Sequence, residues 1–206
     1  MFFTGLLINS SVGGVERTAI TDFMLMSLLP ILGFTYSRRS FKYWSEDSYT
    51  KMLAYLQSLP IPIAVILCKR KLQALLSFAL NGILYFGLIY ALSGDLRTEL
   101  SPLPYVVFAL TWIGYGLVMT GVYVAIEFLC SGKIYCWMTI LIMALCAGAS
   151  LLVKLAGGNL LFYTISYSKE YGVASPLMWG SFLAGVISIQ LLAKWTMQRL
   201  KKRDLV

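Results

Sequence analysis

Few side chains in this sequence are equipped for chemistry. Histidine is absent from all 206 residues, which removes imidazole catalysis, imidazole metal sites and histidine pH switching. The cysteines, Cys68, Cys130, Cys136 and Cys146, fall in or beside apolar runs. Cys130 and Cys136 lack zinc-ligand spacing and read as small packing residues, and the four together are not read as a disulfide framework. Three polar residues inside apolar runs stand out, because a charge or strong dipole in hydrocarbon is costly to keep. Glu127, two residues from the end of its run, is placed to pair with Lys133, to meet a partner, or to stay hydrated at the interface. Asp22 reaches headgroups or pairs with Arg17. Asn81 is the most central of the three and reads as an interhelical hydrogen bond. Lys154 closes a run and snorkels. Together they make no proton relay.

Enzyme signatures fail in turn. No G-x-S-x-G occurs, and H-E-x-x-H needs histidine. At the one Gly-Lys pair, Gly132-Lys133, Glu127 stands where a phosphate-binding loop needs its first glycine and Ile134 where it needs Ser or Thr. The chain is not read as an enzyme and has no cofactor of its own by that loop.

The remaining candidate is a stretch and not a single residue. Ser45–Pro60, SEDSYTKMLAYLQSLP, is too short and polar to cross a bilayer. Tyr49, Met52, Leu53, Leu56 and Leu59 follow the spacing of one helical face. Ser45 can cap that helix, Glu46 and Asp47 suit its first turn, and Pro60 ends it. An amphipathic helix held between spans is placed to meet a cytosolic partner.

The elements around it are apolar. The chain is 59% hydrophobic and 13% charged, with mean hydropathy +0.77, an excess over soluble domains that marks a membrane protein. A spanning helix needs about 20 apolar residues. Full spans are expected at Thr18–Tyr36, Leu72–Ser93, Pro104–Leu129, Ile134–Val153 and Ala174–Ala193. The helix of the second can begin before Lys69-Arg70-Lys71. Met1–Asn9 is half that length, either the outer part of a further span or an interfacial segment, and nothing there reads as a cleavable signal. Gly94–Pro104 reads as a polar turn and Lys154–Ser175 as a mixed loop. One domain of 1–206 is expected, an all-α polytopic bundle of five full spans plus a partial N-terminal one. It carries a cytoplasmic segment 37–71 and a basic tail 194–206.

Basic residues orient these spans. Thirteen, in Ser37–Lys71, at Lys133 and in the tail, fall on one side, against four (Arg17, Arg97, Lys154, Lys169) on the other. The positive-inside rule makes the thirteen, and the C-terminus, cytoplasmic. The charge of +8 is thus explained by topology and not by nucleic acid. Small residues at Ala144-x-x-x-Gly148 and Gly180-x-x-x-Ala184, with Gly114, Gly116 and Gly121, are expected to pack helices inside the bundle, with a dimer contact as the alternative.

In Leu59-Pro60-Ile61, Ile66-Leu67 and Arg70, together with the order of spans and the basic tail, the chain resembles the permease subunits of bacterial type-two ATP-binding cassette (ABC) exporters. The likeness covers most of the chain. It implies a six-helix permease in the bacterial cell membrane whose amphipathic segment is a coupling helix, Ser48–Leu59. Tyr49, Met52, Leu53, Tyr55, Leu56, Leu59 and Pro60 would then dock on a cytosolic ABC ATPase, which would bind the ATP and Mg. A second permease subunit, identical or related, would complete the pore. Family members begin with a cytoplasmic amphipathic helix and a complete first span, whereas this chain starts at about the middle of that span. Sparse intramembrane charge suits an amphipathic peptide, antibiotic or hydrophobic compound as cargo. The alternatives are a substrate-capture subunit of a vitamin importer, to which Gly157–Ser175 would lend polar groups, and a non-transport structural membrane protein.

Overall fold

The computed structural model describes residues 19–33, 55, 60 and 62–200. Within them every regular element is helical: α1 (Ala19–Ile31), α2 (Ile63–Leu92), α3 (Gly94–Glu99), α4 (Pro102–Leu129), α5 (Gly132–Leu155), α6 (Leu160–Tyr171), a 3-10 turn (Gly172–Ala174) and α7 (Pro176–Leu200). Four of them, α2, α4, α5 and α7, are long and apolar enough to cross a membrane. At 1.5 Å per residue they run from about 36 to 45 Å, more than the roughly 30 Å of hydrocarbon.

Backbone chemistry sets the breaks. Pro62 precedes α2 at its N-cap, and Pro102 opens α4, where a missing N–H costs nothing. After α5, Gly157 takes φ +76°, and the Gly158 N–H reaches back to the Val153 carbonyl at 2.9 Å. This six-residue closure needs a left-handed residue, which glycine supplies.

α4 is the axis of the bundle and the most buried spanning helix. α7 runs parallel to it in backbone contact. A Cβ on Gly114 would lie 2.4 Å from the Ser181 carbonyl carbon, and one on Gly185 would lie 2.7 Å from the Gly114 carbonyl oxygen. α2 runs antiparallel to α4, with Phe78 over Gly116 and Phe86 edge-on to Phe108. The core joins Leu25, Leu29, Phe78, Tyr85, Phe86, Phe108, Trp112 and Leu161. Outward faces stay apolar, as at Ile83, Leu145, Leu152 and Leu191, because lipid is as good a neighbour for them as protein.

Three expectations change. Of the predicted first span, Thr18–Tyr36, the described part is a 13-residue helix, about 20 Å long, closed at its C-terminal end by the turn at Leu32-Gly33 and not extended helically to Tyr36 as a single run. Its residues 18 and 34–36 lie outside the described residues. The predicted loop Lys154–Ser175 holds helix α6. Its short length hid it, although Asn159 is an N-cap in waiting. Lastly, Ala144, Gly180 and Ala184 are exposed, and a Cβ on Gly148 or Gly180 meets nothing within 4 Å. The packing face of α7 is Ser181-x-x-x-Gly185, one residue along, because contact with Gly114 selects the register.

Candidate functional site

The site is built where α2, α4 and the end of α1 converge. Arg70 lies two turns into α2, on the stripe that buries Leu67, Ala74 and Phe78. Glu127 lies in the last turn of α4. Arg70 Nε and an Nη donate to the same Glu127 oxygen, at 3.0 and 2.8 Å, and the side chains are only 16% and 10% exposed. Guanidinium suits this position because it stays charged and donates in a fixed fork. The neutralised pair is tolerable where either ion alone is not. Pro30, Gly33, Thr120, Tyr123 and Val124 close a narrow cleft around it.

The same end of the bundle gathers Lys69, Arg70, Lys71, Lys133, Lys194 and Arg199, with Leu67, Phe128 and Leu200 packed together beneath. Lys71 donates to Gln190 of α7 at 3.4 Å, and the Arg199 guanidinium sits 5.6 Å from the Trp195 ring. The opposite end holds Arg97, Lys154 and an ion pair of Lys169 with Glu99. It is plugged by Leu96 and Leu100, both fully buried.

Three side chains bind α1 to its neighbours. Asp22, 1% exposed, accepts the N–H groups of Leu160 at 2.8 Å and Leu161 at 3.0 Å. Asn159 takes the next two, Phe162 on its side chain and Tyr163 on its carbonyl. The N–H groups of the first three residues of α6 are thus satisfied from outside the helix ladder, Tyr163 makes the first intrahelical bond, and a carboxylate sits at the positive end of the dipole. The Tyr115 hydroxyl donates to the Met26 carbonyl at 2.9 Å. Asn81 donates to the Leu32 carbonyl at 2.9 Å, so it does join two elements as an interhelical bond.

Glu127 therefore pairs with Arg70 and not with Lys133, because Arg70 sits on the buried stripe of α2 facing α4. Asp22 is buried away from headgroups and accepts from α6 with both carboxylate oxygens; Arg17, its other expected partner, lies outside the described residues. Of the proposed docking residues, Tyr49, Met52, Leu53, Leu56 and Leu59 lie outside the described residues. Tyr55 is helical and 64% exposed, and Pro60 is exposed at a bend. Arg70 is the residue that the sequence reading underused, counting it for topology and as a motif position. Its spacing of three and four from Leu67 and Ala74 was the available signal.

Among the described residues no group of three or more His, Cys, Asp or Glu is placed to hold a metal ion. Chemically the cleft offers charge neutralisation and hydrogen bonding between helices. No protein-family model, curated protein or solved structure matches the chain.

Proposed function

We propose that this chain is the membrane-spanning permease subunit of an ATP-driven exporter, energised by separate cytosolic ABC ATPase subunits and completed by a second permease subunit. The observation that carries the reading is the Arg70–Glu127 ion pair. It ties the first turns of α2, the helix that follows the amphipathic stretch Ser45–Pro60, to the last turn of the central helix α4. A push on that stretch enters α2 and reaches α4 through two bonds to one carboxylate oxygen. α4 in turn meets α7 backbone to backbone, so the motion is shared as sliding of packed helices.

On this reading the basic end faces the cytosol. Tyr49, Met52, Leu53, Tyr55, Leu56, Leu59 and Pro60 dock on the ATPase, and the nucleotide and Mg stay in that partner. An amphipathic peptide, antibiotic or hydrophobic compound is the cargo class that fits the apolar interior. The test is co-purification from its host membrane in mild detergent. An ATPase subunit should travel with the wild-type chain and be lost from Leu53→Asp and Leu56→Asp variants that still insert. Unchanged association and ATPase stimulation in both variants would sink the docking assignment.

A further inference from the structure

Between α2 and α4 runs a lipid-facing apolar groove of about 600 Å³. It extends from Leu72 to Gly87 along α2, roughly 22 Å at 1.5 Å per residue. Its floor is made of small residues: a Cβ on Gly82 or Gly87 meets nothing within 4 Å, although Gly82 itself is buried. Aromatic residues bound it, Phe78 and Phe86 below and Tyr105 at the far end. The Tyr105 hydroxyl is spent on the Phe86 carbonyl at 2.6 Å, so no polar group is offered to an occupant there.

We propose that this groove holds one acyl chain of an anionic phospholipid from the leaflet at the basic end, with Lys69 at its phosphate. Three observations select that occupant. The volume falls in the range of ligand pockets, about 300–1,000 Å³. A helix of about 10 Å diameter would displace roughly 1,700 Å³ over the same length, so a second protein helix sits on this groove and not in it. One leaflet contributes roughly 15 Å of the hydrocarbon core, which carries a chain entering at Leu72 as far as Gly82, the buried glycine of the floor. Charge decides the headgroup. Lys69 stands three residues before Leu72 on the groove stripe, exposed and without a partner among the described residues. Lys71, Lys133, Lys194 and Arg199 lie at the same end of the bundle, and such clusters attract anionic lipid.

The test uses the full chain in nanodiscs doped with phosphatidylglycerol or phosphatidylcholine, each with a photoactivatable diazirine near the methyl end of one acyl chain. Labelling of peptides containing residues 76–83 and 109–113 should favour phosphatidylglycerol by roughly fivefold, the factor expected of one lysine at an anionic surface. The preference should vanish in Lys69→Glu. Gly82→Trp, or Gly87→Trp should the first fail to insert, fills the groove and should abolish the labelling. Gly148→Trp, on the outward face of α5, should leave it unchanged. Equal labelling by the two lipids, or labelling insensitive to Gly82→Trp and Gly87→Trp, means ordinary annular lipid and overturns the proposal. So does a disulfide between two chains carrying Gly82→Cys, which would put a second copy there.

Discussion

Tyr115 donates its hydroxyl to the carbonyl of Met26 at 2.9 Å, and that carbonyl is the one that Pro30 leaves without a helical donor. In an α-helix the N–H of residue 30 would bond the carbonyl of residue 26, and proline has no N–H. With no water available in hydrocarbon, such a break persists only where a neighbour re-satisfies the freed group. α4 supplies it from the middle of its length.

Tyr115→Phe should therefore destabilise the bundle by about 1–2 kcal/mol, within the range for lost hydrogen bonds in membrane interiors and orphaned buried carbonyls. The loss should shrink in a Pro30→Ala background, where the helix can restore its own bond. A double-mutant cycle by thermal unfolding in detergent reads the difference. Equal losses in both backgrounds would separate Tyr115 from Pro30.

Asp22→Asn keeps one acceptor oxygen for two N–H groups, so one of Leu160 and Leu161 loses its partner. A cost of about 1–2 kcal/mol is expected for the cap, localised to α6. Hydrogen exchange should quicken at residues 160–164 well before α4 or α7 responds. Uniform quickening across the bundle would show that Asp22 matters to the whole core and not to this joint.

Arg70 and Glu127 should behave as a pair. Arg70→Leu strands the nearly buried Glu127 carboxylate at a cost of about 3–5 kcal/mol, Glu127→Leu removes an ionic partner of Arg70, and the double Leu variant should recover most of the first loss. Unfolding midpoints of the three variants, compared in one detergent, decide this. If the double variant is as unstable as the sum of the singles, the two side chains act independently.

Glycines of like spacing should differ sharply. Gly185→Val forces atoms against the Gly114 carbonyl and should cost about 1–3 kcal/mol by overpacking. Gly148→Ala and Gly180→Ala meet open space and should leave the melting temperature unchanged or raise it slightly, as helix propensity favours alanine. A marked loss at Gly148 or Gly180 would place a partner on those faces.

The reading of the spans rested on local physics and carried furthest. An apolar run long enough to cross hydrocarbon is nearly obliged to be a helix, since no other local structure satisfies its own backbone. Ile63–Leu92, Pro102–Leu129, Gly132–Leu155 and Pro176–Leu200 each contain the core of an expected span. The errors fell where length is short or neighbours decide. α1 ends at a proline and a glycine that the run of apolar residues concealed. α6 is held by Asp22, 138 residues away.

The candidate site divides in the same way. That Asn81 needed a partner helix followed from the sequence, because a central polar group must be satisfied; for Asp22 and Glu127, near run ends, headgroups and interfacial water were open beside a protein partner. Which partners the three took did not follow from the sequence. Gly180 and Ser181 differ by one place in the sequence, yet only the packing of α7 against Gly114 decides which of them faces the bundle. Composition and periodicity act through the solvent and each residue's own backbone, so they survive in a linear reading: many helical spans, one basic end and few buried charges. Partner choice, helix register and the groove beside Gly82 depend on distances between segments far apart in the chain, and only the tertiary structure holds those.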